Sequence, residues 1–331
     1  MGSRESLSSS KRAKVRNSRP CWQERLGPGG QHANIAGIGH KAYRFAIMSR
    51  AFPPELRTTI VVPCYNEARR LDVCAFDAFL RRDKWTSLVL VDDGSSDDTP
   101  RVLEELRGRF PQRVSVYRCE RNGGKAEAVR RGTLLALRRR PTFVGYWDAD
   151  LATPLDAVGQ LREVLAGRPE LTMAMGSRVA LLGREITRKW SRHLLGRAFA
   201  TAASLVLGLT VYDTQCGAKL FRVTSATAAL FERRFRARWI FDVELLARMV
   251  ASARGDGGRP FHERVYELPL ERWQDVHGSR LKPRDFLVAA LDLAAIYWRY
   301  TVRGGRQLES AAVTPFPATN AAPPPAHRDA A

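Results

Sequence analysis

An apolar and aromatic run, Phe143–Trp147 (FVGYW), leads directly into Asp148-Ala149-Asp150. The run has the character of a buried parallel strand, and alternation along a strand sends both carboxylates to the same side. Held so close they repel, unless a hard divalent cation lies between them and bridges to phosphate oxygens. The chemistry on offer is metal-assisted handling of a phosphorylated ligand. A lone Asp-x-Asp is also common in solvated turns, so its neighbours decide.

Those neighbours repeat one arrangement. Thr58–Pro63 (TTIVVP) reads as a strand followed by Cys64-Tyr65-Asn66-Glu67, and Ser87–Val91 (SLVLV) as one ending in Asp92-Asp93-Gly94-Ser95-Ser96-Asp97-Asp98. Val114–Tyr117 (VSVY) precedes Asn122-Gly123-Gly124-Lys125. Helical patterns fill the intervals over Ala68–Arg82, Thr99–Phe110 and Lys125–Arg139. Strand and helix alternating at this spacing predict a parallel α/β sheet with right-handed crossovers. All four strands carry their polar cluster at the C-terminal end, where such sheets hold ligands. Of Asp92 and Asp93, one is expected to cap the following turn and the other to accept from a base N–H or ribose hydroxyl. The Gly123-Gly124-Lys125 helix start offers free N–H groups and an ammonium to a diphosphate.

Pro63-Cys64-Tyr65-Asn66-Glu67, the Asp92–Asp97 cluster, Asn122–Lys125 and Asp148-Ala149-Asp150 resemble the motifs of family 2 inverting glycosyltransferases of GT-A fold. In the second half, Gly176-Ser177-Arg178, Asp213–Phe221 (DTQCGAKLF) and Arg238–Leu246 (RWIFDVELL) are similar to dolichyl-phosphate β-glucosyltransferases, with the mannose synthases as close relatives. The resemblance covers about residues 58–302. It implies a mostly parallel nucleotide-binding sheet flanked by helices, with acceptor-side C-terminal helices. It implies a UDP-sugar donor held by Pro63, Tyr65, Glu67, Asp92, Asp93, Lys125 and Asp148, and Mg²⁺ or Mn²⁺ on Asp148 and Asp150. Some mannose synthases carry glutamine two residues after the second Asp; here Ala152 stands there, leaving water or Thr153 to complete the coordination.

The implied acceptor is a polyprenyl phosphate. Its phosphate is largely ionised at neutral pH, with a second pKa near ~6, so it needs positioning more than a strong base. Arginine forks suit that task, and Arg178, Arg188, Arg192 and Arg280 are the candidates. Asp150, Asp213 and Arg178 are expected to be catalytic, and Asp213 and Gln215 to touch the sugar. Trp239 is expected to stack on sugar or lipid, and Asp242 to orient an arginine. Phe235 replaces the glutamine that precedes Arg-Trp in processive synthases, so one transfer per acceptor is expected. The expected reaction is metal-dependent transfer of glucose with inversion; a GDP-mannose-dependent enzyme and a catalytically idle nucleotide-binding or membrane-adaptor protein are the alternatives.

Composition frames these motifs. The net charge is +20, and residues 1–57 hold eleven Lys/Arg against three Glu. That stretch, rich in Ser, Gly and Pro, reads as a disordered basic leader, with Met48 an alternative start; residues 303–331 read as a disordered Ala/Pro-rich tail. The charge is spread rather than interleaved with aromatics, which argues against nucleic acid. The five cysteines show no metal or redox spacing and read as reduced thiols in a cytoplasmic protein. No signal-peptide core is present, and Ala198–Tyr212 and Phe286–Trp298 fall short of the roughly twenty residues that span a bilayer. Trp298, two tyrosines and Arg299 at the end of the second stretch suit peripheral contact with the cytoplasmic membrane face.

Overall fold

In the computed structural model the expected strand runs pair as parallel neighbours. β1 (Thr58–Cys64), β2 (Thr86–Asp92), β3 (Val114–Arg118) and β4 (Phe143–Trp147) are joined by α1 (Val73–Arg82), α2 (Thr99–Arg109) and α3 (Lys125–Leu137). The structure describes residues 56–179, 184–187, 190–209, 211–255, 260–274 and 283–302. The expected leader and tail therefore lie outside the described residues, apart from 56–57. The chain continues through α4 (Asp156–Gly167), β5 (Met173–Ser177), β6 (Glu185–Thr187), α5 (Trp190–Leu207), β7 (Ala218–Arg222), α6 (Ser225–Glu232) and α7 (Phe241–Gly255). Then come α8 (Phe261–Arg264), β8 (Val265–Pro269), β9 (Arg272–Gln274), α9 (Pro283–Ile296) and a π-helical turn, Tyr297–Val302.

Seven strands form one sheet in the order β3-β2-β1-β4-β7-β5-β8, and β6 pairs with β9. Chain order reverses at β1, which lies between β2 and β4. At such a switch point the flanking loops diverge and leave a crevice. β7 alone among the seven is antiparallel, running against both β4 and β5. Its first residue, Ala218, pairs with Trp147, the last of β4. The turn entering β7 is thereby brought to the edge where Asp148 leaves β4.

Alternation splits the core into two apolar layers. Val61, Val89, Val91, Val144 and Tyr146 face one way, toward α3, α6 and α7. Ile60, Val62, Leu88, Leu90, Phe143 and Trp147 face the other, toward α1, α2 and α4. Gly132 lets α3 lie against β1 and β2, because a Cβ there would meet Val61 Cγ1 at 2.4 Å.

Two boundaries differ from expectation for local reasons. α1 starts at Val73 rather than Ala68, because Asp72 caps it by accepting from Ala75 N at 2.9 Å, and residues 65–72 form a loop. α5 ends at Leu207 because Gly208 turns left-handed, with φ of 64°. No described helix is long and apolar enough to cross a membrane. α9 buries Ala289, Leu293 and Ile296 and leaves Leu287, Val288 and Leu291 exposed. Cys64, Cys119 and Cys216 are buried free thiols. Cys74 lies on the exposed side of α1.

Candidate active site

The crevice between β1 and β4 opens as a cleft of about 500 Å³. Pro63, Tyr65, Glu67, Asp93, Asn122, Lys125, Asp148 and Asp150 all line it, so most residues singled out for the donor converge there.

The loop after β1 is fastened to the loop after β2. Asn66, with φ of 53°, donates its N–H to Ser95 Oγ and accepts from Ser96 N through Oδ1, both near 3 Å. Glu67 N donates to Thr99 Oγ1 at 2.8 Å, and Ala68 N to Asp97 at 3.2 Å. These bonds leave Tyr65 48% exposed beside the cleft. Asp92 takes the turn-capping role, accepting from Ser95 N at 3.0 Å. Asp93 spans to the next loop: its two oxygens accept from Gly123 N (2.9 Å) and Gly124 N (2.7 Å). This corrects the expectation that those two N–H groups are free for a diphosphate. Their carboxylate partner comes from the adjacent strand end, a contact that local sequence spacing does not show.

Charge is concentrated on the β4 side. Lys125 Nζ lies 2.5 Å from Asp148 Oδ1, and Asp150 Oδ1 accepts from Ala152 N at 3.1 Å. Arg70 Nη2 stands 3.7 Å from Asp150 Oδ2, and its Nε is 3.5 Å from Glu67. Burial and the neighbouring Asp148 raise the Asp150 carboxyl above its ordinary range. Burial raises Glu67 as well, aided by Asp150 and Asp148. Burial works against the Lys125 ammonium, yet Asp148 and Asp242 hold its pKa above the usual value. Hard oxygen donors that repel one another fit a divalent cation. Among the described residues no three His, Cys, Asp or Glu side chains form a ready cage, so Asp148 and Asp150 would supply two ligands and phosphate or water the rest. Thr153 is buried, with Oγ1 3.8 Å from Cys216 Sγ and its carbonyl accepting from Trp147 Nε1.

Across the edge, β5 ends in Ser177 and delivers Arg178. Its Nε and Nη2 form a two-point ion pair with Asp213 at 2.5 and 2.7 Å, and its guanidinium lies over the Trp273 ring. Asp213 also accepts from Gln215 N, and Glu267 fixes the turn by accepting from Tyr212 N and Asp213 N. Gln215 Nε2 is buried and has no hydrogen-bond partner, a donor left for a ligand. Burial pushes the Cys216 thiol up to about 11, so it is neutral and no nucleophile.

Asp242 departs from expectation. It is buried, accepts from Tyr146 OH and Lys219 Nζ at 2.5 Å each, and orients a lysine rather than an arginine. Lys219 Nζ also bonds the Cys216 carbonyl at 2.6 Å, supporting the turn beneath Asp148. Enclosed in this way, Asp242 is out of an acceptor's reach. Trp239 remains half-exposed, its ring 6.4 Å from Phe199. The preceding Arg238 reaches over Gly124, its Nη2 3.5 Å from where a Cβ would lie. Arg188 and Arg280 lie outside the described residues, and so does the side chain of Arg192 on α5.

Sequence reasoning missed Lys219, Glu267, Arg70 and Arg238. A lysine inside the otherwise apolar Ala218–Phe221 and a lone acid in Val265–Pro269 were usable signals. Arg238 opens the RWIFDVELL motif, a usable signal as well, whereas nothing local distinguishes Arg70 from the chain's many other arginines.

The strand-end crevice with its paired carboxylates faces the Arg178–Asp213 pair across the sheet edge, and comparison with known proteins places the chain in a family. Residues 59–229 match the model of glycosyl transferase family 2, and the chain belongs to that family. It is a glycosyltransferase. It is 34% identical over 274 residues to the dolichyl-phosphate beta-glucosyltransferase of Drosophila melanogaster, covering 76% of this chain and 78% of that one. The human dolichyl-phosphate beta-glucosyltransferase is 30% identical over 275 residues, with 77% and 79% covered. Among solved structures, glucosyl-3-phosphoglycerate synthase from Mycobacterium tuberculosis, in complex with Mn²⁺, UDP-glucose and phosphoglyceric acid, shares the fold. Its TM-score is 0.51 at 17% identity, covering 82% of this chain and 86% of that one.

Proposed function

We propose that this enzyme transfers glucose from UDP-glucose to a polyprenyl phosphate with inversion, giving polyprenyl-phosphate β-glucose, one sugar per acceptor. One observation carries the reading. The Asp148/Asp150/Lys125 cluster and the Arg178–Asp213 pair stand at the same sheet edge, on β4 and on the β5–β7 side. Relatives that match three quarters of the chain and bear the dolichyl-phosphate beta-glucosyltransferase name support the choice of sugar and acceptor.

In this reading Pro63, Tyr65 and Glu67 surround the base, while Asp93 holds the Gly123-Gly124 loop that shapes its pocket. Lys125 and Arg238 face the diphosphate. A Mg²⁺ or Mn²⁺ ion on Asp148 and Asp150, when bound, neutralises charge on the departing UDP. Arg178 spends its Nε–Nη2 edge on Asp213 and leaves Nη1 to meet the acceptor phosphate, which attacks without losing a proton. Asp213 orients that arginine, and Gln215 Nε2 is placed to bond a sugar hydroxyl. Arg192, Arg188 and Arg280 belong to the same proposed acceptor set, and Trp239 offers a stacking surface. The exposed Leu287, Val288, Leu291, Tyr297, Trp298 and Val302 suit peripheral contact with the membrane that holds the lipid.

The test is incubation of pure protein with labelled UDP-glucose or GDP-mannose and polyprenyl phosphate, with the product anomer read by NMR. A β-glucosyl product is expected from UDP-glucose. Transfer from GDP-mannose alone, or an α-linked product, would overturn the proposal.

A further inference from the structure

Behind the acceptor-side turn lies a second cavity, of about 570 Å³, unused by the chemistry above. Ala200, Ser204 and Leu205 of α5 form one wall; Leu209, Tyr212 and Glu267 contribute the others. The Ser204 hydroxyl and the Glu267 carboxylate are both engaged within the protein. Ser204 Oγ donates to Val211 O at 3.0 Å and accepts from Val211 N at 3.4 Å. The Glu267 carboxylate accepts from Tyr212 N at 2.8 Å and Asp213 N at 2.9 Å. A ligand entering here need supply no hydrogen bonds, so the cavity favours an apolar one.

Both ends lead somewhere. Through Glu267 the inner end shares its wall with Asp213, which grips Arg178. At the outer end Leu205 lines the cavity and is itself 77% exposed. Its neighbour Val206 accepts from Thr301 Oγ1 at 3.2 Å, which sets the π-helical turn beside it. That turn carries exposed Trp298 and Val302, and α9 adds Leu287 and Leu291. An apolar track thus runs from the arginine–carboxylate pair, through the cavity, to an exposed apolar face.

We infer that this cavity receives the isoprene units next to the acceptor's phosphate. The inference rests on the polyprenyl-phosphate reading above. Such an acceptor has a charged head that stays with Arg178 and an apolar chain that needs a dry wall starting close by. The cavity meets both requirements, and its exposed rim lets the rest of a long chain continue into lipid.

The experiment compares wild type, Ala200→Trp (which fills the cavity) and Leu205→Lys (which charges its exposed rim). Each is assayed with butyl phosphate and farnesyl phosphate, with UDP affinity measured by calorimetry and labelling by a photoactivatable farnesyl phosphate mapped by mass spectrometry. Wild type is expected to favour farnesyl over butyl phosphate at least tenfold in kcat/KM. Ala200→Trp should cut that preference at least tenfold, keeping UDP affinity and butyl phosphate turnover, and the wild-type label should fall within 200–212. Leu205→Lys, at an exposed position where folding is undisturbed, should weaken the preference in the same direction. Equal losses on both acceptors, no change in either variant, or label elsewhere would overturn the assignment while leaving the proposed function standing. A wild type that transfers to no polyprenyl phosphate overturns the proposed function, and the cavity's role with it.

Discussion

Gly217 presses against Asp148: a Cβ built on the glycine would lie 2.0 Å from Oδ2, and the Asp148 N–H donates to the Gly217 carbonyl at 3.1 Å. The turn entering β7 is therefore the mould in which the carboxylate is set. Neither residue can move without the other.

The first expectation follows directly. Gly217→Ala should fold, because the clash is at the cleft and not in the core, yet displace the Asp148 carboxylate. A displacement of about 1 Å in a reacting group costs on the order of a hundredfold in rate. Steady-state kinetics with a thermal melt checks this; unchanged kcat/KM would show that the turn yields instead.

Asp150 carries a stability cost at neutral pH. Its folded pKa is raised by burial and by Asp148, so the folded state binds the proton more tightly than the unfolded chain does. Stability then falls as pH rises from the unfolded pKa through the folded one, and the penalty is fully present above it. Asp150→Asn should melt higher than wild type at neutral pH in the absence of metal, with the gain vanishing in acid below the unfolded value. The same variant should lose on the order of a thousandfold in transfer, as should wild type in EDTA. Full activity in either case would remove the carboxylate from the chemistry.

Arg178→Ala should have two separable effects. It leaves the enclosed Asp213 carboxylate without its ion-pair partner, which costs about 3 kcal/mol of stability. It should also raise KM for the acceptor phosphate while UDP affinity in calorimetry stays level. Arg178→Lys should recover stability better than kinetics, because an ammonium keeps the charge but lacks the fork. An equal loss of UDP binding would move Arg178 to the donor side.

Lys219 and Asp242 form a pair with no solvent contact at the lysine. Lys219→Met should destabilise the protein by about 3–5 kcal/mol, since Asp242 is left charged and enclosed. Lys219→Met with Asp242→Leu should restore most of that loss. Denaturant melts of the two singles and the double settle it; additive losses would mean that the pair is uncoupled.

Replacing Leu287 and Leu291 by glutamate should weaken binding to anionic vesicles at least tenfold, equivalent to about 1.4 kcal/mol, without lowering the melting temperature. Co-sedimentation at low and high salt measures it. Unaltered sedimentation would leave that apolar face without a role at the membrane.

The four-strand parallel half of the sheet was almost fully legible. Its strands alternate in apolar character, and each polar cluster sits within a few residues of the strand that carries it. Tyr65, Glu67, Lys125, Asp148 and Asp150, singled out by local pattern and by the family resemblance, line one cleft. What stayed hidden depends on contacts between distant segments. Asp93 bonding Gly123 and Gly124, Lys219 holding Asp242, and Glu267 bracing Tyr212 and Asp213 all join residues separated by about twenty to more than fifty positions. A one-dimensional pattern records the type of such residues but not their partners. Asp242 was misassigned for that reason: its partner on β7 is a lysine within a strand otherwise read as apolar.

The antiparallel course of β7 also acts as a ruler. Hydrogen-bonded strands keep their inward faces only if they slip by two residues, a step of roughly 6.8 Å. With Trp147 locked opposite Ala218, the spacing between the Asp148 carboxylate and the turn that carries Asp213 is thus graduated in coarse notches rather than continuously adjustable. Insertions between Arg178 and Asp213 can lengthen or reshape the surface beside that turn without resetting the gauge. Loop shape is accordingly easier to vary on such a scaffold than the distance between its charged clusters.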